Sequence, residues 1–107
     1  MAEIIISNDV DNYLADLVDI LFKEEYFGFR IDAKNYVDRL YDFIYTIPFL
    51  TFKKTKDIKI GNFYCTYKHS SNTSWYIIFD VEEETYLIKN ITNNHSKDYA
   101  EFIANLS

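Results

Sequence analysis

The chain has 107 residues, of which 49% are hydrophobic and 26% charged, a composition typical of one folded globular domain. It contains two glycines, one proline and one cysteine, which excludes long flexible linkers and an internal disulfide. The net charge of −6 disfavours general nucleic-acid binding, because an acidic protein repels phosphate at long range.

The N-terminus shows no targeting signal. No basic segment precedes a long apolar run there, so we predict no secretory leader. No stretch approaches the roughly 20 apolar residues that span a bilayer, and we expect no contact with membranes. The single cysteine agrees with a reducing compartment, and the expected location is the cytoplasm.

The N-terminal half predicts a strand and a helical hairpin. Residues 2–6 are apolar and β-branched, which favours a strand. Ser7 or Asn8 then caps a helix whose apolar residues recur at steps of three and four. Gly28 ends that helix, and a second one with the same periodicity covers about residues 32–47. The brief connection makes the two helices antiparallel neighbours.

The C-terminal half predicts a sheet and a last helix. Residues 63–69 alternate as a strand, and residues 74–81 are apolar on both faces, which indicates a central strand. Residues 85–92 form a third strand, and polar turns join the three into a meander. Ser96 caps a short helix that carries Tyr99, Phe102, Ile103 and Leu106. The predicted class is α+β, with the helices packed on one face of an antiparallel sheet.

Residues 53–59 are basic, with four lysines and one aspartate. These lysines are Lys53, Lys54, Lys56 and Lys59. One interpretation is an edge strand that lysine protects from pairing with other sheets. The other is a surface that binds phosphate or an acidic partner.

Strand alternation divides the first meander strand into two faces. One face carries Phe63, Cys65, Tyr67 and His69, and the other carries Tyr64, Thr66 and Lys68. Tyr64, Lys68 and Tyr76 predict either an open groove for a peptide strand or a base, or ordinary packing of aromatic residues in a sheet. No cysteine or histidine pair has metal-ligand spacing, and we predict no metal and no cofactor.

Cleavage of RNA without a metal requires a base, an acid and cations near the phosphate. The candidate catalytic residues are His95, Tyr99 and Lys89, with His69 a further candidate. The candidate residues for binding nucleic acid or a partner are Lys53, Lys54, Lys56, Lys59, Tyr64, Lys68 and Tyr76. Both arginines lie in the helical hairpin, so the phosphate contacts of the sheet half would come from lysine.

The order of elements, β-α-α-β-β-β-α, resembles the RelE/ParE toxin superfamily of bacterial toxin–antitoxin systems. Residues 61–67, Gly-Asn-Phe-Tyr-Cys-Thr-Tyr, are similar to the family's pattern at the start of the meander, although Tyr64 stands where the family often has arginine. The resemblance covers nearly the whole chain and implies one domain over residues 1–107. It also implies an association with plasmid stabilisation.

The family resemblance implies two activities. One branch acts by binding, as in the poisoning of DNA gyrase; the other comprises ribosome-dependent messenger-RNA endoribonucleases with a His or Tyr near the C-terminus. Both branches are neutralised by an antitoxin protein. We therefore expect a toxin-like domain that acts through macromolecular binding, with the endoribonuclease as one alternative. A non-toxic, acidic protein-interaction domain is the other alternative.

Overall fold

The computed structural model describes residues 2–23, 30–56 and 60–95. Its helices are α1 (Asn8–Lys23) and α2 (Arg30–Thr46), and a 3₁₀ turn, Ile47–Phe49, follows α2. Its strands are β1 (Glu3–Ile6), β2 (Lys53–Lys54), β3 (Phe63–Lys68), β4 (Ser74–Glu82) and β5 (Thr85–Asn93). This arrangement confirms the predicted α+β class. The helix predicted from Ser96 onward lies outside the described residues.

Ser7 is the residue that caps α1. Its Oγ accepts a hydrogen bond from the Val10 backbone N–H at 3.3 Å, and its carbonyl accepts one from the Asp11 N–H at 3.0 Å. The cap satisfies backbone donors that the first turn of a helix otherwise leaves unpaired. Asp9 and Asp11 lie in that first turn, where negative charge complements the helix dipole.

The two helices are packed together and joined by a side-chain hydrogen bond. The Tyr41 hydroxyl of α2 donates to Asp11 Oδ1 of α1 at 2.9 Å. The helix α2 begins two residues earlier than predicted and ends at Thr46, where the chain tightens into the 3₁₀ turn that contains Pro48. Proline lacks the N–H that a continuing α-helix requires, so the helix stops there.

The five strands form one sheet in the order β1-β5-β4-β3-β2. The meander of β3, β4 and β5 is antiparallel, and β4 is central, both as predicted. The sheet as a whole is mixed, because β1 runs parallel to β5. The predicted antiparallel meander is therefore confirmed, and the parallel pairing of β1 is an addition for which the sequence analysis makes no prediction. The α1–α2 hairpin and the strands β2, β3 and β4 separate β1 from β5 in the sequence, so local patterns do not indicate this pairing.

The helical hairpin covers one face of the sheet, which we call the inner face. Its buried cluster combines helix residues with strand residues: Val10, Leu14, Leu17, Val37, Leu40, Ile44, Ile47, Cys65, Trp75, Ile77, Phe79 and Ile88. Burial raises the pKa of the Cys65 thiol to about 12, so this cysteine stays protonated and does not act as a nucleophile. No helix among the described residues is long and apolar enough to cross a membrane.

The opposite, outer face of the sheet is partly covered by the chain that leads into β3. Ile60 packs against Tyr64 and Ile78, and its carbonyl accepts a hydrogen bond from Asn90 Nδ2 at 2.7 Å. The Asn62 N–H donates to Asp80 Oδ1 at 2.7 Å. Residues 60–62 are thereby fixed across the middle of this face.

Candidate functional site

A groove of about 620 Å³ lies where the helical hairpin meets the Trp75 end of the sheet. Its volume lies within the range that ligand sites of proteins usually occupy. The described residues that line it come from α1, α2, β4, β5 and the segments beside the strands: Tyr13, Leu17, Ile20, Leu21, Tyr36, His69, Thr73, Trp75, Asn93 and His95. We call it the aromatic groove.

Trp75 forms the base of the aromatic groove and is 1% exposed. Its indole Nε1 donates a hydrogen bond to the Tyr36 hydroxyl at 2.9 Å. The rings of Tyr13 and Tyr36 stand edge-on to the indole, with centroid distances of 6.3 and 6.5 Å. Edge-to-face contacts of this kind fix ring orientation as well as burying area. The base of the groove is therefore pre-organised.

One end of the aromatic groove is apolar. Leu17, Ile20 and Leu21 line it from α1, and Ile20 remains 46% exposed. These residues belong to the apolar stripe of α1, whose earlier members are buried against the sheet. The stripe thus continues beyond the covered part of the sheet and presents aliphatic surface to the groove.

The other end of the aromatic groove carries His69. Its ring lies against Tyr36 with a centroid distance of 4.1 Å, and its Nδ1 is 3.4 Å from the Tyr67 hydroxyl. Desolvation lowers the pKa of His69, and the nearby Arg39 guanidinium lowers it further. The imidazole is accordingly neutral near pH 7, the form in which it can accept a proton.

His95 lies at the same end of the groove, held by two hydrogen bonds. Its Nε2 is 3.1 Å from Thr73 Oγ1, and its backbone N–H donates to Asn93 Oδ1 at 2.8 Å. Asn94 links this segment to the turn between β3 and β4. Its Oδ1 accepts a hydrogen bond from the Ser74 N–H at 3.0 Å, and its Nδ2 donates one to the Asn72 carbonyl at 2.9 Å. Both histidines therefore line one site.

The tyrosines of the groove are hydrogen-bonding groups rather than charged ones. Burial raises the pKa of Tyr13, and burial also raises the pKa of Tyr36 although its bond to Trp75 opposes the change. Both hydroxyls stay protonated at neutral pH. The aromatic groove therefore combines flat rings and aliphatic side chains with a polar end, an arrangement that suits a partly aromatic group with a hydrogen-bonding tip.

The structure separates the predicted catalytic residues. His95 lines the aromatic groove, whereas Lys89 does not: its Nζ is 3.3 Å from Asp80 Oδ2. Ile78 pairs with Asn90 and Phe79 with Ile88, so Lys89 is the extra residue of a β-bulge. Lys89 is thus a member of an ion pair away from the groove. Tyr99 lies outside the described residues.

The predicted binding residues are also dispersed. Lys53 and Lys54 form the two-residue edge strand, Lys56 and Lys68 are exposed, and Lys59 lies outside the described residues. Tyr64 is only 8% exposed and packs with Ile78, Ile60 and the half-buried Tyr76. Of the two interpretations of Tyr64, Lys68 and Tyr76, ordinary packing agrees with this burial and an open groove around Tyr64 does not, because Ile60 packs against it.

The sequence patterns did not indicate the aromatic groove. Tyr36 falls within the predicted second helix and Trp75 within the predicted central strand, and Tyr13 falls within the predicted first helix. The only signal in the sequence was one aromatic residue in each of three predicted elements. These residues come together only when the helical hairpin packs on the sheet.

Within residues 2–23, 30–56 and 60–95, no group of three or more His, Cys, Asp or Glu side chains is arranged to hold a metal ion. No protein-family model matches the chain, and no curated protein or solved structure shows significant similarity to it.

Proposed function

We propose that the chain is a toxin-like component of a bacterial toxin–antitoxin module and acts by binding other macromolecules. The order of a strand, a helical hairpin and an antiparallel meander supports this proposal, because the RelE/ParE-like resemblance rests on that order. The single observation that carries the binding function is the aromatic groove, a pre-formed concave site of about 620 Å³ with mixed aromatic and aliphatic walls.

The partner proposed for this groove is an antitoxin segment with an apolar anchor. An anchor side chain seated between Ile20 and the ring of Tyr36 would remove both from water, and such central, desolvated contacts supply most of the energy of an interface. Residues 1–50 contain ten acidic and four basic residues, which favours association with a basic segment. The polar end at His69 and His95 would accept the anchor's hydrogen-bonding tip.

Induced expression in a bacterial host tests the proposal. We expect growth to stop, with replication stalled and messages intact, and co-expression of an antitoxin partner to restore growth. Ile20→Asp places a charge in the exposed apolar end and should weaken antitoxin binding by about 100-fold, since the anchor would meet a carboxylate. Growth arrest should remain in this variant, but rescue should fail.

The matched control is Tyr45→Asp, which adds the same charge at a position that is 56% exposed on α2 and does not line the groove. It should keep both the arrest and the rescue. Normal growth with folded wild-type protein in the cell would contradict the toxin proposal and favour the acidic interaction domain.

A ribosome-dependent endoribonuclease is the second candidate. The observation that favours it is the presence of His69 and His95 on one groove, because RNA cleavage needs one group to accept a proton and another to donate one. Loss of ribosome-bound message cleavage by about 100-fold or more in His95→Ala would support the enzyme. Lys89→Ala is the control, since Lys89 pairs with Asp80 away from the groove. Intact messages during growth arrest would exclude this candidate.

A further inference from the structure

The two edges of the sheet are built differently. The strand β2 ends the sheet on one side with two exposed lysines, Lys53 and Lys54, a common protection against pairing with another strand. The strand β1 ends the sheet on the other side with the sequence Glu-Ile-Ile-Ile and contains neither lysine nor proline. The β1 edge therefore lacks the protection that the β2 edge has.

The backbone of β1 offers hydrogen-bonding groups on its outer side. The Glu3 N–H donates to the Glu84 carbonyl at 2.8 Å and the Ser7 N–H to the Ile88 carbonyl at 3.0 Å, so alternate residues of the strand face β5. In a parallel pair the residues between them face the other way. The N–H and C=O groups of Ile4 and Ile6 consequently face away from the sheet, and no strand of the described ranges pairs with them.

An apolar shelf lies beside these groups on the outer face. Ile5 is 42% exposed and Leu87 is 36% exposed, and the two are direct partners in the β1–β5 register. Side chains paired across neighbouring strands touch one another, and a further strand would place a third side chain next to Ile5. A valine or isoleucine at that position would bury apolar area that is now in contact with water.

The charge around the β1 edge is negative at both ends. Glu3 begins the strand, and the exposed Glu82 and Glu83 lie at the turn beside it. Asp9 is exposed just after the other end. The nearest lysine along β5 is Lys89, which pairs with Asp80. An incoming segment with lysine or arginine at its ends would therefore be attracted and correctly positioned.

We propose that β1 is a docking edge on which an extended, basic-ended segment of a partner protein adds as a further strand of the sheet. The segment pairs with the outward groups of Ile4 and Ile6, places an apolar side chain on the Ile5–Leu87 shelf and sets its basic residues against Glu3 and Asp9. Main-chain bonds of this kind give affinity, and the alternate side chains give specificity. This surface is separate from the aromatic groove and does not depend on toxicity.

The test uses an eight-residue synthetic peptide with alternating valine and threonine in its centre and lysine at both ends. Amide resonances of the full chain report its position, and we expect shifts and slower hydrogen exchange at Ile4 and Ile6. A peptide with glutamate in place of lysine should bind about ten-fold more weakly, because it meets the acidic ends of β1. Methylation of the peptide nitrogens that face β1 should abolish binding.

Ile5→Lys in the protein should weaken binding of the lysine peptide by about ten-fold, through loss of the apolar contact and added repulsion. Tyr45→Lys, at a 56% exposed position on α2, should stay within about two-fold of the wild type. Equal affinity for the lysine and glutamate peptides overturns the proposal. Peptide-induced shifts of the amide resonances of Lys53 and Lys54 in β2, with none in β1, also overturn it. Slow amide hydrogen exchange at Ile4 and Ile6 in a dimer that forms without peptide also overturns the proposal, since a second copy of the chain would then occupy the edge.

Discussion

Gly61 has a φ of +142°, a conformation that L side chains rarely adopt, where the chain returns over the outer face of the sheet. A Cβ at this position would lie closer to Ile78 Cγ2 than van der Waals contact allows. The surrounding chain leaves little freedom to move, because the Thr55 N–H donates to the Asn62 carbonyl at 3.0 Å and the Asn62 N–H donates to Asp80. Glycine at this position therefore permits both the turn and the close contact.

Gly61→Ala should lower the free energy of unfolding by about 2–3 kcal/mol, the combined cost of an unfavourable φ and an overpacked contact. Urea denaturation followed by circular dichroism measures this change.

The control for the Gly61 prediction is a double-mutant cycle with Ile78→Ala, which removes the methyl group that the new Cβ would meet. In that background the cost of Gly61→Ala should fall by about 1 kcal/mol or more, because neighbouring sites are not additive. If the two changes in the free energy of unfolding were strictly additive, the backbone conformation of residue 61, and not its contact with Ile78, would account for the loss of stability.

Among the elements, the helical hairpin is held by more than its apolar stripe. The Tyr41 hydroxyl reaches from α2 to Asp11 at the start of α1, a separation of 30 residues. Burial raises the pKa of Tyr41 to about 12, and the hydrogen bond to Asp11 adds to the increase. The hydroxyl therefore remains a donor throughout the pH range in which the protein is handled.

Tyr41→Phe removes this donor and should destabilise the protein by about 1 kcal/mol, the usual net value of a hydrogen bond. Thermal unfolding measures the change. Tyr45→Phe on the same helix is the matched control, since Tyr45 is 56% exposed, and it should change stability by less than about 0.5 kcal/mol. Equal effects of the two substitutions would contradict a specific role for the Tyr41–Asp11 bond.

The elements also show where sequence patterns are informative. The stripe of α1 and the doubly apolar run of β4 each come from contiguous residues, and the start of α1 and both ends of β4 were predicted to within one residue. The predicted end of the first helix, Gly28, lies outside the described residues. The pairing of β1 with β5 and the cover that residues 60–62 form over Tyr64 depend on contacts distant in sequence. The sequence contains the residues for these contacts but no periodicity that indicates them.

At the scale of the whole molecule, the helical layer and the sheet are joined at the aromatic groove through aromatic and histidine side chains. Tyr36 of α2 contacts His69, just beyond β3, and accepts the hydrogen bond of Trp75 in β4. Phe43 of α2 stacks on Tyr67 of β3 with a centroid distance of 4.8 Å. His95 was predicted as a candidate catalytic residue, whereas the surrounding rings come together only when the two layers pack.

The junction of the two layers makes stability depend on pH through His69. The folded protein lowers the pKa of this imidazole below its ordinary value of 6.5, so the unfolded chain binds the proton more readily. The contribution of neutral His69 to stability is therefore complete above about pH 6.5 and declines as the pH falls through the region between the unfolded and the folded pKa. Protonation of the desolvated ring beside Arg39 weakens the contact between the layers.

His69→Gln keeps a polar side chain but removes the titration. We expect the stability of the wild type to fall more steeply than that of His69→Gln between about pH 7.5 and 5.5, in urea denaturation at each pH. Because both proteins carry the same carboxylates, the difference between the two curves isolates the histidine. The resonances of the His69 imidazole in the wild type should titrate with a midpoint below pH 6.5. A midpoint at or above that value, or parallel stability curves, would show that the junction between helices and sheet does not hold His69 in its neutral form.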